Sequence, residues 1–294
     1  MKTLNQILKR ASEEGWAIGH FNVANLEMLK AVAAAAKSAK APVMIGTSEG
    51  ERDWFGLANI VALVGSMREG FPYIFLNADH TRSVAAAEAA ARAGYDSIHF
   101  DGSKLDLKNN IVQTGEVVEF AREADPDISV EGELGYVQGE SKKSSQKIIL
   151  RPEDYTDPAQ AGEFARSTAV DRLAVVVGNI HGINADEPRL DFERLAATKK
   201  ALPEETALVL HAGSGIPDED IKKAIAAGVS NIHISTELRV SFREGLEEAL
   251  KDKPDEYAPY KLYAEEVEEL TRLVIQKIEL FGSAGRYQKG TFYF

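Results

Sequence analysis

Eight short apolar runs, each followed by a longer stretch of helical character, are the feature that most restricts what this chain can become. The runs fall at 17–23, 43–48, 73–79, 97–101, 128–134, 173–178, 207–213 and 231–235. Helical patterns lie between and after them, near 25–38, 54–68, 82–93, 106–123, 158–168, 190–200, 218–227 and 237–250, and Gly94 and Gly228 stop two of them just before a strand. Runs such as Leu173-Ala174-Val175-Val176-Val177 are apolar throughout, which suits parallel strands covered on both faces. Eight strand–helix units with no Gly-x-Gly-x-x-Gly opening predict an α/β chain closed as a (β/α)8 TIM barrel rather than an open doubly wound sheet. A length of 294 residues is filled by one such barrel, so 1–294 reads as a single domain.

Two stretches exceed a minimal barrel. The polar connection at 135–157 is too long for a routine turn after the fifth strand and predicts a lid or binding loop. The tail at about 254–281, rich in Glu and Leu, predicts additional C-terminal helices of a kind that docks against a second subunit. Residues 1–14 read as an amphipathic helix with Leu4, Ile7 and Leu8 on one side, without the apolar run of a signal peptide. No segment approaches the roughly 20 apolar residues of a membrane span, so the cytoplasm is the expected location. A net charge of −12 argues against a nucleic-acid or anionic-membrane partner. The absence of cysteine removes disulfides, thiolate metal sites and cysteine nucleophiles together.

Catalytic groups of such barrels sit at the C-terminal strand ends and in the loops that follow. Three of the six histidines end strands: His80 after Asp79, His181 after Asn179-Ile180, and His211 before Ala212-Gly213. Three imidazoles with a fourth position open is the arrangement of a catalytic zinc site, although any one of them alone would more often be a core residue. His99 and His20 read as such core residues. Asp79, beside His80 where the chain turns, could orient the imidazole or serve as an acid/base. Glu131 and Glu133 alternate on one face of the fifth strand, and two acids inside a barrel ask for a cation, which adds weight to a metal. Gly213-Ser214-Gly215 after the seventh strand, with Ser235-Thr236 after the eighth, falls where barrels bind phosphate. No lysine ends the sixth strand, which favours metal over imine chemistry.

These segments resemble a class II, zinc-dependent fructose-bisphosphate aldolase, in the group that also contains tagatose-bisphosphate aldolases. The motifs are His20-Phe21-Asn22-Val23, Thr47-Ser48-Glu49-Gly50, Ala78-Asp79-His80, Phe100-Asp101-Gly102-Ser103, Glu131-Gly132-Glu133-Leu134-Gly135, Gly178-Asn179-Ile180-His181-Gly182, His211-Ala212-Gly213-Ser214-Gly215 and Ser235-Thr236-Glu237-Leu238. The resemblance implies zinc, or cobalt or another divalent ion, on His80, His181 and His211, with Glu133 holding a second or displaced metal position. It implies that Asp79 exchanges a proton with the C4 oxygen and that Glu140, in the mobile loop, is one of its acids. Asn22, Ser48, Gly182, Gly213, Ser214, Gly215, His233, Ser235 and Thr236 are then the substrate- and phosphate-facing positions, where a sodium or potassium ion commonly assists. The implied reaction is reversible cleavage of a ketose phosphate, first of all fructose 1,6-bisphosphate, to dihydroxyacetone phosphate and an aldehyde, by a homodimer or homotetramer.

The chain departs from the family pattern at His233, where the family has Asn, and at Ala185, where it often has lysine. It departs again at Tyr260, where an arginine binds the far phosphate, and at Ser141, where the loop has a second acid. Weaker preference for a bisphosphate is expected unless Lys142, Lys143 or Lys261 replaces the lost cations. A tagatose bisphosphate or other ketose phosphate as substrate, or an inactive sugar-phosphate-binding barrel, are the alternatives. A metal-dependent hydrolase barrel would want a His-x-His pair on the first strand, which His20-Phe21-Asn22 lacks.

Overall fold

The computed structural model describes residues 2–145, 148–184 and 189–286. Eight parallel strands close a barrel: β1 (Ile18–Asn22), β2 (Val43–Thr47), β3 (Ile74–Thr81), β4 (Ser97–Phe100), β5 (Ser129–Leu134), β7 (Arg172–Val175), β9 (Ala207–Leu210) and β10 (Val229–Ile234). β10 pairs with β1 in parallel register, His233 beside His20, so the sheet has no barrel edge. Two further strands, β6 (Gly139–Ser144) and β8 (His181–Asn184), pair with each other above it. β6 lies in the polar connection expected as a loop, and a one-turn 3-10 helix at Pro152–Asp154 follows it.

The helical ring consists of α2 (Leu26–Ala39), α4 (Leu57–Met67), α5 (Val84–Ala93), α6 (Leu107–Ala124), α7 (Pro158–Thr168), α8 (Phe192–Ala201) and α9 (Asp218–Ala226). The expected helix at 54–68 is divided at Gly56, whose φ of 78° separates α3 (Glu49–Phe55) from α4. The eighth seat is taken by an unexpected element. α10 (Thr236–Asp252) packs on β6 and β8, while α12 (Ala264–Leu280), after the short α11 (Pro259–Leu262), packs between α9 and α2 and against β1. Leu270, Val274 and Ile278 at i, i+4 and i+8 give α12 the apolar stripe this needs, and all three are fully buried. The tail thus completes the ring of its own barrel.

The N-terminal helix α1 (Leu4–Glu14) plugs the bottom. A capping box at Thr3 and Gln6 starts it, and Gly15 in the left-handed conformation ends it. Its Leu4, Ile7, Leu8 and Ala11 pack with Trp16, Ile18, Met44, Phe75 and Ala207 in one apolar cluster. With that end closed, polar side chains inside the barrel can meet solvent only at the other. No described helix is long and apolar enough to cross a membrane.

Candidate active site

The open end of the barrel holds a cleft lined by Asn22, Ser48, Asp79, His80, Ser141, His181, Gly182, His211, Ala212, Ser214, His233, Ser235, Thr236 and Arg239. Most were expected there from the sequence. Consecutive residues Asp79 and His80 both reach it because β3 breaks its register with β4 between Ala78 and Thr81. His80 takes the left-handed conformation at φ 45°, uncommon for a residue with a Cβ, and Ala212 beside His211 does the same at φ 57°.

The ring centres of His80, His181 and His211 are 5.4, 5.1 and 6.3 Å apart, for the pairs His80–His181, His80–His211 and His181–His211. Imidazoles sharing one tetrahedral ion through bonds of about 2.1 Å have ring centres about 5 Å apart, so the three can converge on a metal with little movement. His99, expected as a bland core residue, belongs to the same constellation. Asp79, His80, His99 and His211 each bring a ligand atom within 4.8 Å of the others, and so do His80, Asp101 and Glu133. His99 Nε2 lies 3.1 Å from Glu133 Oε2, and its Nδ1 accepts the His80 backbone N–H at 3.1 Å. Glu133 Oε2 is buried without a hydrogen bond, a donor atom that fits a cation.

Glu131 differs from its expected role. Its cation is Arg172, fully buried and ion-paired with it, so Glu131 itself calls for no metal. The other Glu131 oxygen accepts from His211 Nε2 at 2.6 Å. Arg172 escapes a reading of the sequence that starts the strand at the apolar Leu173.

Asp79 is buried beneath the cleft, with Asn22 Nδ2 donating to its Oδ2 at 2.9 Å and His99 Nδ1 3.4 Å from its Oδ1. Burial alone would raise its pKa, but the charge of His80 and the close imidazoles of His233 and His99 hold it well below the usual carboxylate range. Burial pushes the His20 imidazole down to about 4, and the Asp79 and Glu131 charges only partly oppose this. His20 stacks on His233 with ring centres 3.6 Å apart, so the two rings form a flat floor between β1 and β10.

Around this bowl lie groups suited to anions. Thr236 opens α10, a helix of 17 residues whose N-terminus carries a partial positive charge. Ser214 Oγ accepts the backbone N–H of Ser235 and Glu237, at 3.3 and 3.2 Å. Gly213 and Gly215 are less free than a bare glycine cradle implies, because their N–H groups donate to His233 O and to Glu237 Oε1. Glu133 lies below the lining. Glu140 stands outside it, exposed on β6 and 2.6 Å from Lys142, while its neighbour Ser141 faces the cleft. The residue missed entirely is Arg239, one turn into α10. Among the described residues it is the one Lys or Arg that lines the cleft. Lys142, Lys143 and Lys261 are engaged with Glu140, Glu244 and Glu256, and Ala185 lies outside the described residues. Tyr260 is exposed on α11.

Comparison with known proteins places the chain in a family. Residues 2–286 match the family model described as fructose-bisphosphate aldolase class-II. A probable fructose-bisphosphate aldolase of Bacillus subtilis (strain 168) is 35% identical over 290 residues, covering 97% of this chain and 98% of the relative. The fructose-bisphosphate aldolase of Geobacillus stearothermophilus is 33% identical over the same shares. The crystal structure of the YdjI aldolase from Escherichia coli K12 superposes with a TM-score of 0.82 at 34% identity, covering 97% of this chain and 98% of that one. Matched along nearly its whole length, the chain belongs to the class II fructose-bisphosphate aldolases, metal-dependent lyases that act on sugar phosphates.

Proposed function

We propose that the substrate is fructose 1,6-bisphosphate, cleaved reversibly to dihydroxyacetone phosphate and glyceraldehyde 3-phosphate. The observation that carries this reading is the placement of anion-binding groups on both flanks of the histidine bowl. Gly182 and Ser214, with the N-terminus of α10 at Ser235 and Thr236, follow β7, β9 and β10. Asn22, Ser48 and Arg239 gather on the β1–β2 side around Glu51, which accepts from all three. A ketose with a phosphate at each end spans such a cleft.

His80, His181 and His211 would hold zinc, with Glu133 offering a second position. When bound, the ion supplies the Lewis acidity that makes the carbon beside a ketone acidic. The chain's own residues do the rest. Asp79, ionised and fixed by Asn22, accepts the C4 hydroxyl proton in cleavage and returns it in condensation. Ser214, Gly182 and Thr236 hold the near phosphate, beside which a monovalent cation fits the family pattern. Arg239 and Ser48 hold the far one. The whole chain acts as one domain, in the cytoplasm and as a homodimer or homotetramer. The test is dihydroxyacetone phosphate release from fructose and tagatose 1,6-bisphosphates and fructose 1-phosphate. Highest kcat/KM on fructose 1,6-bisphosphate is expected, and release from none of them would overturn the reading.

A further inference from the structure

One charged side chain inside the barrel has no task in the reaction just described. Arg172, the first residue of β7, is fully buried and is surrounded by acceptors from β3, β4, β5 and β10. Its Nε donates to Ser129 Oγ at 3.2 Å. Nη1 donates to Glu131 Oε2 and to Asn231 Oδ1 at 3.1 Å, and Nη2 to Ser97 Oγ and to Asn77 Oδ1 at 3.3 Å. The layer lies directly below the cleft.

A guanidinium carries donors only and stays protonated, so every polar atom facing it must accept. The two ends of an asparagine amide are hard to tell apart by shape, but Arg172 removes the ambiguity for Asn77. Its oxygen faces Arg172 and also accepts from Ser97 Oγ at 2.6 Å, so its nitrogen points outward, 3.0 Å from His20 Nε2. An amide nitrogen can only donate. His20 Nε2 therefore accepts, and the ring proton of His20 sits on Nδ1.

The same logic runs through Glu131. Glu131 is paired with the guanidinium of Arg172 inside the barrel, both side chains fully buried, so it is a carboxylate and accepts only. One oxygen is taken by Arg172 and the other faces His211 Nε2 at 2.6 Å. His211 therefore carries its proton on Nε2 and keeps the Nδ1 lone pair free. A metal-ligating histidine commonly donates its other N–H to a carboxylate. Here that carboxylate is itself held by a cation one layer deeper.

We infer that Arg172 is a positioning residue that sets the tautomers of His20 and His211 from beneath the cleft. It acts on two walls of the bowl through two separate branches, Asn77 and Glu131, and touches neither substrate nor metal. The lone pair offered by His211 rests on the proposed metal site for its use, but the tautomers themselves are properties of the chain.

The test is histidine nitrogen NMR on the full-length, 15N-labelled protein near pH 8, zinc-loaded and chelated. His211 should appear as the Nε2–H tautomer and His20 as the Nδ1–H tautomer, each unaveraged. The opposite tautomer at either residue in the wild-type protein overturns the inference, as does an average of the two. In Arg172→Lys, which keeps the charge but not the planar fork, His20 should shift toward a mixture with the second tautomer above about 10%. A folded Arg172→Lys protein with both signals unchanged also overturns it. Should that variant fail to fold, Asn77→Leu cuts one branch alone. His20 should then lose its fixed tautomer while His211 keeps it, and an unmoved His20 sinks the relay. Tautomers are read without substrate, so a protein inactive on every ketose phosphate would leave this result standing.

Discussion

Arg239 Nη2 donates to Glu51 Oε1 at 2.6 Å, a pair that joins α10 to α3 beside the cleft. The same glutamate accepts from Ser48 and Asn22 through its other oxygen, so the cation is held among the groups that would meet a far phosphate. A charge-assisted hydrogen bond of this kind is worth about 1.5–3 kcal/mol. Arg239→Ala should therefore lower kcat/KM for fructose 1,6-bisphosphate about 10–100-fold. Fructose 1-phosphate should lose less than about 3-fold, since it has no far phosphate to contact the cation. Equal losses on both substrates would mean that Arg239 only braces Glu51.

Asp79→Ala should leave a protein that still binds zinc and dihydroxyacetone phosphate while cleavage falls about 10²–10⁴-fold, the usual worth of a positioned acid/base. Metal content by mass spectrometry and single-turnover cleavage measure the two effects separately. Loss of the metal along with the activity would make Asp79 a support for the neighbouring imidazoles instead.

Chelation should abolish activity, and zinc or cobalt should restore it, because the described residues lining the cleft present no other strong electrophile to the ketone. Borohydride added with substrate should trap no covalent adduct. A reduced lysine adduct would mean imine chemistry, and full activity in thoroughly demetallated protein would remove the metal from the reaction.

The buried neutral His20 predicts a loss of stability in mild acid. Its folded pKa of about 4 lies below the ordinary 6.5, so between these values the unfolded chain binds the extra proton. Stability from this group is fully present above pH 6.5 and is lost as the pH falls toward 4, by about 1.4 kcal/mol per unit. His20→Gln should flatten the slope of unfolding free energy against pH by up to one proton over that window, as urea titrations would show. A slope equal to the wild type's would mean that His20 is protonated in the folded protein.

The barrel strands were legible because both faces of a parallel strand are covered, so their sequences are apolar throughout. Where the interior turns polar this signal fails. Arg172 belongs to β7, but a lone arginine before Leu173 resembles a loop residue until Glu131 and two asparagines close around it. β6, Gly-Glu-Ser-Lys-Lys-Ser, has no apolar alternation at all and exists by pairing with β8. Helical periodicity marked the tail as helix, yet it cannot say that α12 rather than α10 fills the last ring position. That choice is made by the stripe of Leu270, Val274 and Ile278 meeting α2. Three of the site's histidines were visible because they follow apolar runs, although His181 opens β8 rather than ending β7. His99 was overlooked because it lies inside β4, where only its contacts with Glu133 and Asp79 separate a site residue from a core one.

The β6–β8 pairing gives the cleft a thermodynamic property. Gln138 O accepts the His181 backbone N–H at 2.8 Å and Gly139 lies beside His181 in the strand register, so the loop and the third imidazole are one mechanical body. Free energy that fixes one end of that body is shared with the other, and linkage makes the exchange symmetric. An ion held by His181 would rigidify the loop, and a substrate that drew the loop down through Ser141 would tighten the grip on that ion by the same factor.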